Sequence, residues 1–412
     1  MSLTRFLPTP SDRMGILWSL LAIEGSVILE YGPAGTTHFS MGLFGELDLE
    51  TQNRLYTTHM SESDVVMGDV SRLEKAILEV DQNNHPKVIF VVSSSVAAVI
   101  GVDLKGVCSY MQPQVNARLI TFEQGGFRGD YSIGLKETYT MLTEKLVNDV
   151  AENETKENTF NILGTSLWSY RIRSDIWELT SLLEEGFGLK RQVCLCTDTS
   201  VDEIGSMGRA KINIVVNTLA LPAAKNMEKR FGIPWILKLP FGYEDTWKWL
   251  IEVGKIIQKP LNSKLEHQLQ EKIRMTMQYQ MYGRMLKEDK MKAVVMGEYD
   301  TVEGMSGFLE SIGFLVEHKI CAHSLRGIES PREDIKYVMT EKDKIDLMKS
   351  LHRTLVLADD TMMRLCEKDN TCLRISSPVT QGMVYARHLP FAGMRGADYL
   401  LEFVEQYYQT LR

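Results

Sequence analysis

Cysteine, histidine and serine are the side chains of this chain best suited to bind metal or to react, and their spacing restricts what they can do. Cys194-Leu-Cys196 is the one cysteine pair close enough in sequence to suggest a shared ion. Read as part of a strand over 191–196, its two thiols point to opposite faces, so the pair is expected to be buried structural sulfur rather than a ligand set. Cys108, Cys321, Cys366 and Cys372 are scattered and no C-x-x-C occurs, which predicts reduced thiols. The eight histidines contain no H-x-x-x-H, and a strand end separates His318 from His323, so a zinc centre is not expected. The phosphate-cradling patterns G-x-G-x-x-G after a strand and G-x-x-x-x-G-K-[ST] are missing, and nucleotide is not indicated. Ser93-Ser-Ser95 remains: three hydroxyls that either cap the following helix or cradle an anion at its N-terminus, capping being the commoner use.

The elements around these residues are legible. Lys87-Val-Ile-Phe-Val-Val92 is uncharged beyond its first residue and rich in β-branched and aromatic side chains, as in a strand buried on both faces of a parallel sheet. The serines then form a turn at its carboxyl end, where open α/β sheets keep their ligands, and a helix follows over about 95–110. Upstream, the spacing predicts a helix over about 11–24, a strand over 26–31 and a tight turn at Gly32-Pro-Ala-Gly. Residues 151–159 are polar without periodicity and read as a linker. Beyond them β, α alternation restarts, stops at Pro260, yields to a long polar helix over 263–289 and resumes at Lys292. The Met275, Met277, Tyr279, Met281 and Met285 stripe of that polar helix is expected to serve packing. The reading is an α/β chain of three related domains with parallel sheets flanked by helices, bounded at 1–155, 156–262 and 291–412, with a connecting helix at 263–290 and a C-terminal helix at about 396–410.

The totals agree with that organisation. At 412 residues, 44% hydrophobic and 24% charged, the chain suits a multidomain globular protein. A net charge of −8 without a basic tract argues against nucleic acid or an anionic membrane as partner. The N-terminal residues lack an apolar signal core and the longest apolar run is short of a membrane span, so a cytoplasmic protein is expected.

Several segments together resemble a known family. Ser11 spaced from Thr36, the Gly32-Pro-Ala-Gly-Thr36 turn, Glu62-Ser-Asp-Val-Val-Met-Gly68 and Val92-Ser-Ser-Ser95-Val-Ala-Ala-Val-Ile-Gly101 are followed, in order, by Gly126-Phe-Arg-Gly129, Ala210-Lys-Ile-Asn-Ile-Val-Val, Glu228-Lys-Arg-Phe-Gly-Ile-Pro-Trp235 and Pro390-Phe-Ala-Gly393-Met-Arg-Gly396. This series is similar to component 1 of nitrogenase, its cofactor-assembly scaffold and the dark-operative protochlorophyllide and chlorophyllide reductases, with beta-type spacing after Gly129. The resemblance implies three Rossmann-like α/β domains.

It also implies where clusters would sit. Ser11, Thr36 and Ser95 match family cysteines that hold an iron–sulfur cluster at a subunit interface, and Asp130 matches a serine beside it. Asn217 matches the cysteine, and Met383 falls near the histidine, of the active-site cofactor. Hydroxyls do not replace soft thiolates on iron, so the chain alone is expected to hold no cluster, and an iron–sulfur cluster is expected only with a partner chain. The resemblance implies a homo- or hetero-oligomer with a component 1-like chain, and an ATP-driven iron protein as electron source. Two functions follow: an oxidoreductase subunit that shapes a substrate cavity beside a cluster-bearing partner, or a non-catalytic carrier holding a metallocofactor, tetrapyrrole or other organic ligand in the interdomain cleft.

Overall fold

The computed structural model describes residues 9–38, 40, 54–150, 157–285, 291–338, 340–379 and 388–410. Its strands form three main parallel sheets, while the chain divides into two compact units: Thr9–Asp149 with Val193–Gly208, and Val150–Gln192 with Arg209–Arg412.

The first unit is built on β1 (Ser26–Tyr31), β2 (Leu55–Thr57), β3 (Val88–Ser93) and β4 (Arg118–Phe122), in the order β2-β1-β3-β4. Strand β3 has neighbours on both sides, Val88 pairing with Ser26 and with Arg118, and all six of its residues are buried. That placement is why its sequence is apolar throughout instead of alternating. One layer over the sheet is amphipathic: the helix Ser71–Asn84 buries Leu73, Ile77 and Val80, and its one buried charge, Asp81, accepts from the Ala117 N–H at 2.8 Å. Helices Asp12–Leu21 and Tyr131–Lys145 cross at glycines. A Cβ on Gly134 would stand 1.9 Å from the Asp12 carbonyl oxygen, and one on Gly15 would stand 2.3 Å from that of Tyr131. Only glycine permits so close an approach, and the contact sets Ser11 opposite Asp130 in an isolated antiparallel bridge.

The second unit carries two sheets. Strands β5 (Thr159–Leu163), β6 (Lys190–Cys194), β7 (Ile212–Val215) and β8 (Trp235–Leu237) lie in the order β8-β7-β5-β6. Strands β9 (Lys292–Gly297), β10 (Leu315–Cys321), β11 (Ile335–Tyr337), β12 (Leu355–Ala358) and β13 (Thr371–Arg374) lie in the order β11-β10-β9-β12-β13. The central strands β7, β9 and β12 are buried along nearly their whole length. Helices Ile172–Phe187, Tyr243–Ile257 and Gly393–Thr410 pack against one another in this unit, with Leu179, Leu250 and Val404 buried. Among the described residues no helix is long and apolar enough to cross a membrane.

Three details differ from the sequence reading. The single helix expected over 95–110 is two, Ser95–Ile100 and Leu104–Met111, because Gly101 takes a left-handed φ of 71° and Asp103 recaps the chain by accepting from the Gly106 N–H at 2.8 Å. Strand β6 stops at Cys194 and Cys196 lies past it with φ 67°, so strand alternation does not govern the pair. Cys194 closes β6 in the sheet with β5, although the compact grouping counts Val193–Gly208, and so both cysteines, with the first unit. The short strands β2, β11 and β13 went unread, being three or four residues long with little apolar content of their own.

Candidate functional site

In the first unit the candidate residues gather at the carboxyl ends of β1 and β3. Glycines bring the loops there together. A Cβ on Gly32 would lie 2.3 Å from the Ser94 side chain and 3.5 Å from Thr36 Oγ1; one on Gly125 would meet Ala98 and the Ser94 carbonyl; one on Gly126 would lie 3.3 Å from Ser11 Oγ. The neighbourhoods of Thr36, Ser95 and Ser11 are thereby linked, and Ser11 pairs with Asp130.

Local bonds engage Thr36 and Asp130. Thr36 Oγ1 donates to the Pro33 carbonyl at 2.8 Å. Asp130 Oδ1 accepts from the Ser132 N–H at 3.1 Å and its hydroxyl at 2.6 Å, capping the helix that follows. Of the three serines, Ser94 is the cap, accepting from the Ala97 N–H at 3.2 Å, while Ser95 is the first helical residue and half-buried. Beneath them lies a charge network that sequence reasoning missed. Arg13 pairs with the fully buried Glu30, which also accepts from Thr37 Oγ1 at 2.7 Å, and Arg13 Nη1 donates to Ser40 Oγ at 3.2 Å. This set of hydroxyls and a buried ion pair does not fit an iron–sulfur cluster, which needs thiolate donors.

The second unit holds a cavity, and five strands deliver its walls from their carboxyl ends. Gly164 follows β5, Asn217 follows β7, Phe241 lies beyond β8, Glu298 and Asp300 follow β9, and Ser376 and Ser377 follow β13. This is where parallel sheets place ligands. Gly164, at φ 88°, lets Asn217 approach: a Cβ there would stand 2.9 Å from the Asn217 Cβ and backbone nitrogen. The cavity volume open to water is about 30 Å³, room for one or two water-sized groups.

Three carboxyls give the cavity its character. Burial pushes Asp175 up to about 7, against the pull of N–H bonds from Phe391 at 2.7 Å and Ala392 at 2.8 Å. Burial likewise raises Glu298 to about 7, opposed by the Ser169 hydroxyl donating to its Oε2 at 2.5 Å. Asp300 is raised to about 6 by burial although it accepts from the Thr218 N–H at 2.9 Å and hydroxyl at 2.6 Å. That last contact also joins the loop after β7 to the helix after β9. Arg171, itself at φ 63°, lies 4.9 Å from the Phe391 ring centroid and donates to the Leu389 carbonyl at 3.1 Å, holding the segment that reaches Asp175. Chemically the cavity offers acids that gain and lose protons near neutrality.

Asn217, matched by resemblance to a cofactor ligand, lines this cavity, with its Oδ1 accepting from the Leu219 N–H at 2.9 Å. Ser11, Thr36, Ser95 and Asp130 belong to the other unit, and Met383 lies outside the described residues. Asp175, Glu298 and Asp300 were not anticipated. Their signal was available for Glu298 and Asp300, since the acidic Glu298-Tyr-Asp300 directly follows the buried run Val294-Val-Met-Gly297, but Asp175 is hidden in an ordinary helix. Cys366 Sγ donates to the Met362 carbonyl at 3.7 Å, Cys372 belongs to β13, and Cys321 is buried separately at the end of β10. Among the described residues no group of three or more His, Cys, Asp and Glu side chains is placed to hold a metal ion.

Comparison with known proteins gives this geometry its context. The model of the nitrogenase component 1 type oxidoreductase family matches residues 11–410. The chain is similar to the nitrogenase iron-molybdenum cofactor biosynthesis protein NifE of Clostridium pasteurianum, at 31% identity over 285 residues, 68% of this chain and 61% of that protein. The NifE of Nostoc sp. strain PCC 7120 is 29% identical over 249 residues, 60% of this chain and 51% of that protein. The chain therefore spans between half and two thirds of these curated relatives. The solved structure of nitrogenase Cp1 at pH 6.5 superposes with a TM-score of 0.79, covering 99% of this chain and 94% of that one at 16% identity, a likeness of fold.

Proposed function

Since the chain belongs to the nitrogenase component 1 type oxidoreductases, we propose that it is one subunit of a reductive assembly: it binds substrate in the cavity beside Asn217, while a cluster-bearing component 1-like partner, supplied by an ATP-driven iron protein, provides the electrons. The observation that carries this reading is the convergence of Asp175, Glu298 and Asp300 on one cavity, with two of them raised to about 7 and the third to about 6. Reduction of an organic substrate consumes protons as well as electrons, and acids poised near neutral pH at a cavity wall are the groups that hand them over. On this reading Ser11, Thr36, Ser95 and Asp130 mark a face that packs on the partner, the segments 1–155, 156–262, 263–290 and 291–412 act as three domains and a connecting helix, and the protein works in the cytoplasm.

The test is anaerobic co-expression with a candidate component 1-like chain, followed by iron and sulfide analysis and EPR of the reduced complex and of the isolated chain. A cluster present in the complex and missing from the chain alone supports the proposal. A cluster held by the isolated chain would mean that other residues are its ligands.

A second reading is favoured by the relatives' names, which place them in cofactor biosynthesis. The chain would then be a carrier, with Asn217 and its surroundings holding a metallocofactor or organic ligand without turnover. A complex without a cluster, from which an anaerobically co-purified cofactor transfers to an acceptor protein, would decide for the carrier.

A further inference from the structure

One oxygen in the cavity is unaccounted for. Glu298 is 7% exposed, and its Oε2 accepts from the Ser169 hydroxyl, yet its Oε1 is buried with no hydrogen-bond partner. Buried carboxylate oxygens in folded proteins find donors, and one left alone costs about 1–3 kcal/mol or more. The other two acids do not share the problem, since Asp300 is held by Thr218 and Asp175 by the Phe391 and Ala392 N–H groups. They act instead as fixed neighbours that make the site more negative. Among the described residues that line the cavity, none is Lys, Arg or His. An anionic group entering there would meet three acids and no cation on the lining itself; Arg171, 4.9 Å from the Phe391 ring centroid, acts on Asp175 from outside it.

We propose that the cavity binds the head group of a protonated amine, whose N–H donates to Glu298 Oε1. An ammonium head suits the volume of about 30 Å³, supplies the missing donor and is drawn in by the flanking carboxyls, making a charge-assisted bond in a desolvated place. Carboxylates and phosphates are disfavoured, because the lining carries three carboxyls and no cation. The inference rests on the reading of this cavity as the substrate site and narrows the substrate or ligand to one carrying an amine.

The isolated full-length chain is titrated at pH 8, where Glu298 is mainly ionised, with ethylammonium, ethanol and acetate at matched ionic strength. Binding is read by thermal unfolding and by isothermal titration calorimetry on the wild type and on Glu298→Gln. Ethylammonium is expected to raise the unfolding midpoint in a saturable way while ethanol and acetate do not, and the variant should bind it about tenfold more weakly or worse. Acetate or ethanol binding as well as ethylammonium, or full binding in the variant, would overturn the amine assignment while leaving the cavity as a site. Failure of all three probes to bind the wild type would overturn both. The order of the probes on the wild type stands whether or not the variant folds.

Discussion

Glu298 couples the cavity to the stability of the unit that contains it. Its carboxyl titrates near 7 when folded against an ordinary value of 4.5, so the native state binds the proton more tightly than the unfolded chain. Its favourable contribution is complete below about pH 4 and is lost as pH rises through about 7. The difference corresponds to a cost of the order of 3 kcal/mol once the group is ionised. Glu298→Gln should therefore raise the unfolding midpoint at pH 8 and leave it nearly unchanged at pH 5 in parallel thermal melts. Arg13 behaves in the opposite manner. Removing it strands the fully buried Glu30, so Arg13→Met should cost about 3–5 kcal/mol in urea unfolding, and the double variant Arg13→Met/Glu30→Met should recover most of the loss. At this scale little was legible in the sequence. Arg13 and Glu30 are 17 positions apart and look like ordinary surface charges, because what pairs them is the fold of the intervening turn. Asn217 was reached only through resemblance, as its neighbours Glu298 and Asp300 come from another sheet.

Glycine sets the helix contacts that aim Ser11 at Asp130. Gly134 permits the helices Asp12–Leu21 and Tyr131–Lys145 to touch backbone to backbone. Gly134→Ala improves helix propensity by up to about 1 kcal/mol, yet its methyl would fall 1.9 Å from the Asp12 carbonyl oxygen. The clash should win, with a net loss of about 2–3 kcal/mol by chemical denaturation and a normal effect at the solvent-facing Gly307, where nothing stands within 4 Å. Elements of this kind were partly readable. The strand β3 and the helix Ser71–Asn84 follow from local pattern, whereas β11 and β13, at three and four residues, exist because a neighbouring strand offers them an edge. The break at Gly101 was readable in principle from Gly-Val-Asp, a left-handed stop and a new cap in succession.

For the whole molecule, the alternation of strands and helices gave the parallel sheets, and the resemblance gave their family. Neither predicted that the chain leaving β6 is grouped with the first unit as far as Gly208, a matter of tertiary contacts such as Ile23 pairing with Thr199 that leave no local mark. Light scattering of the chain co-expressed with a component 1-like partner should give an assembly of at least twice the 46.9 kDa chain mass. A pull-down without such a partner and a monomeric mass in both preparations would count against the subunit reading.

The bond from Thr218 to Asp300 ties the loop after β7 to the helix after β9 at the rim of the cavity. Any guest between those two sheets is consequently held by both, and its residence should slow the breathing of each rim. Hydrogen exchange should report this as joint protection of the amides around 217–219 and 298–301 on ligand addition. Asp300→Ala, which removes the acceptor of both the Thr218 N–H and its hydroxyl, would uncouple the two, leaving the first segment exchanging at its unliganded rate while the second, beside Glu298, still slows.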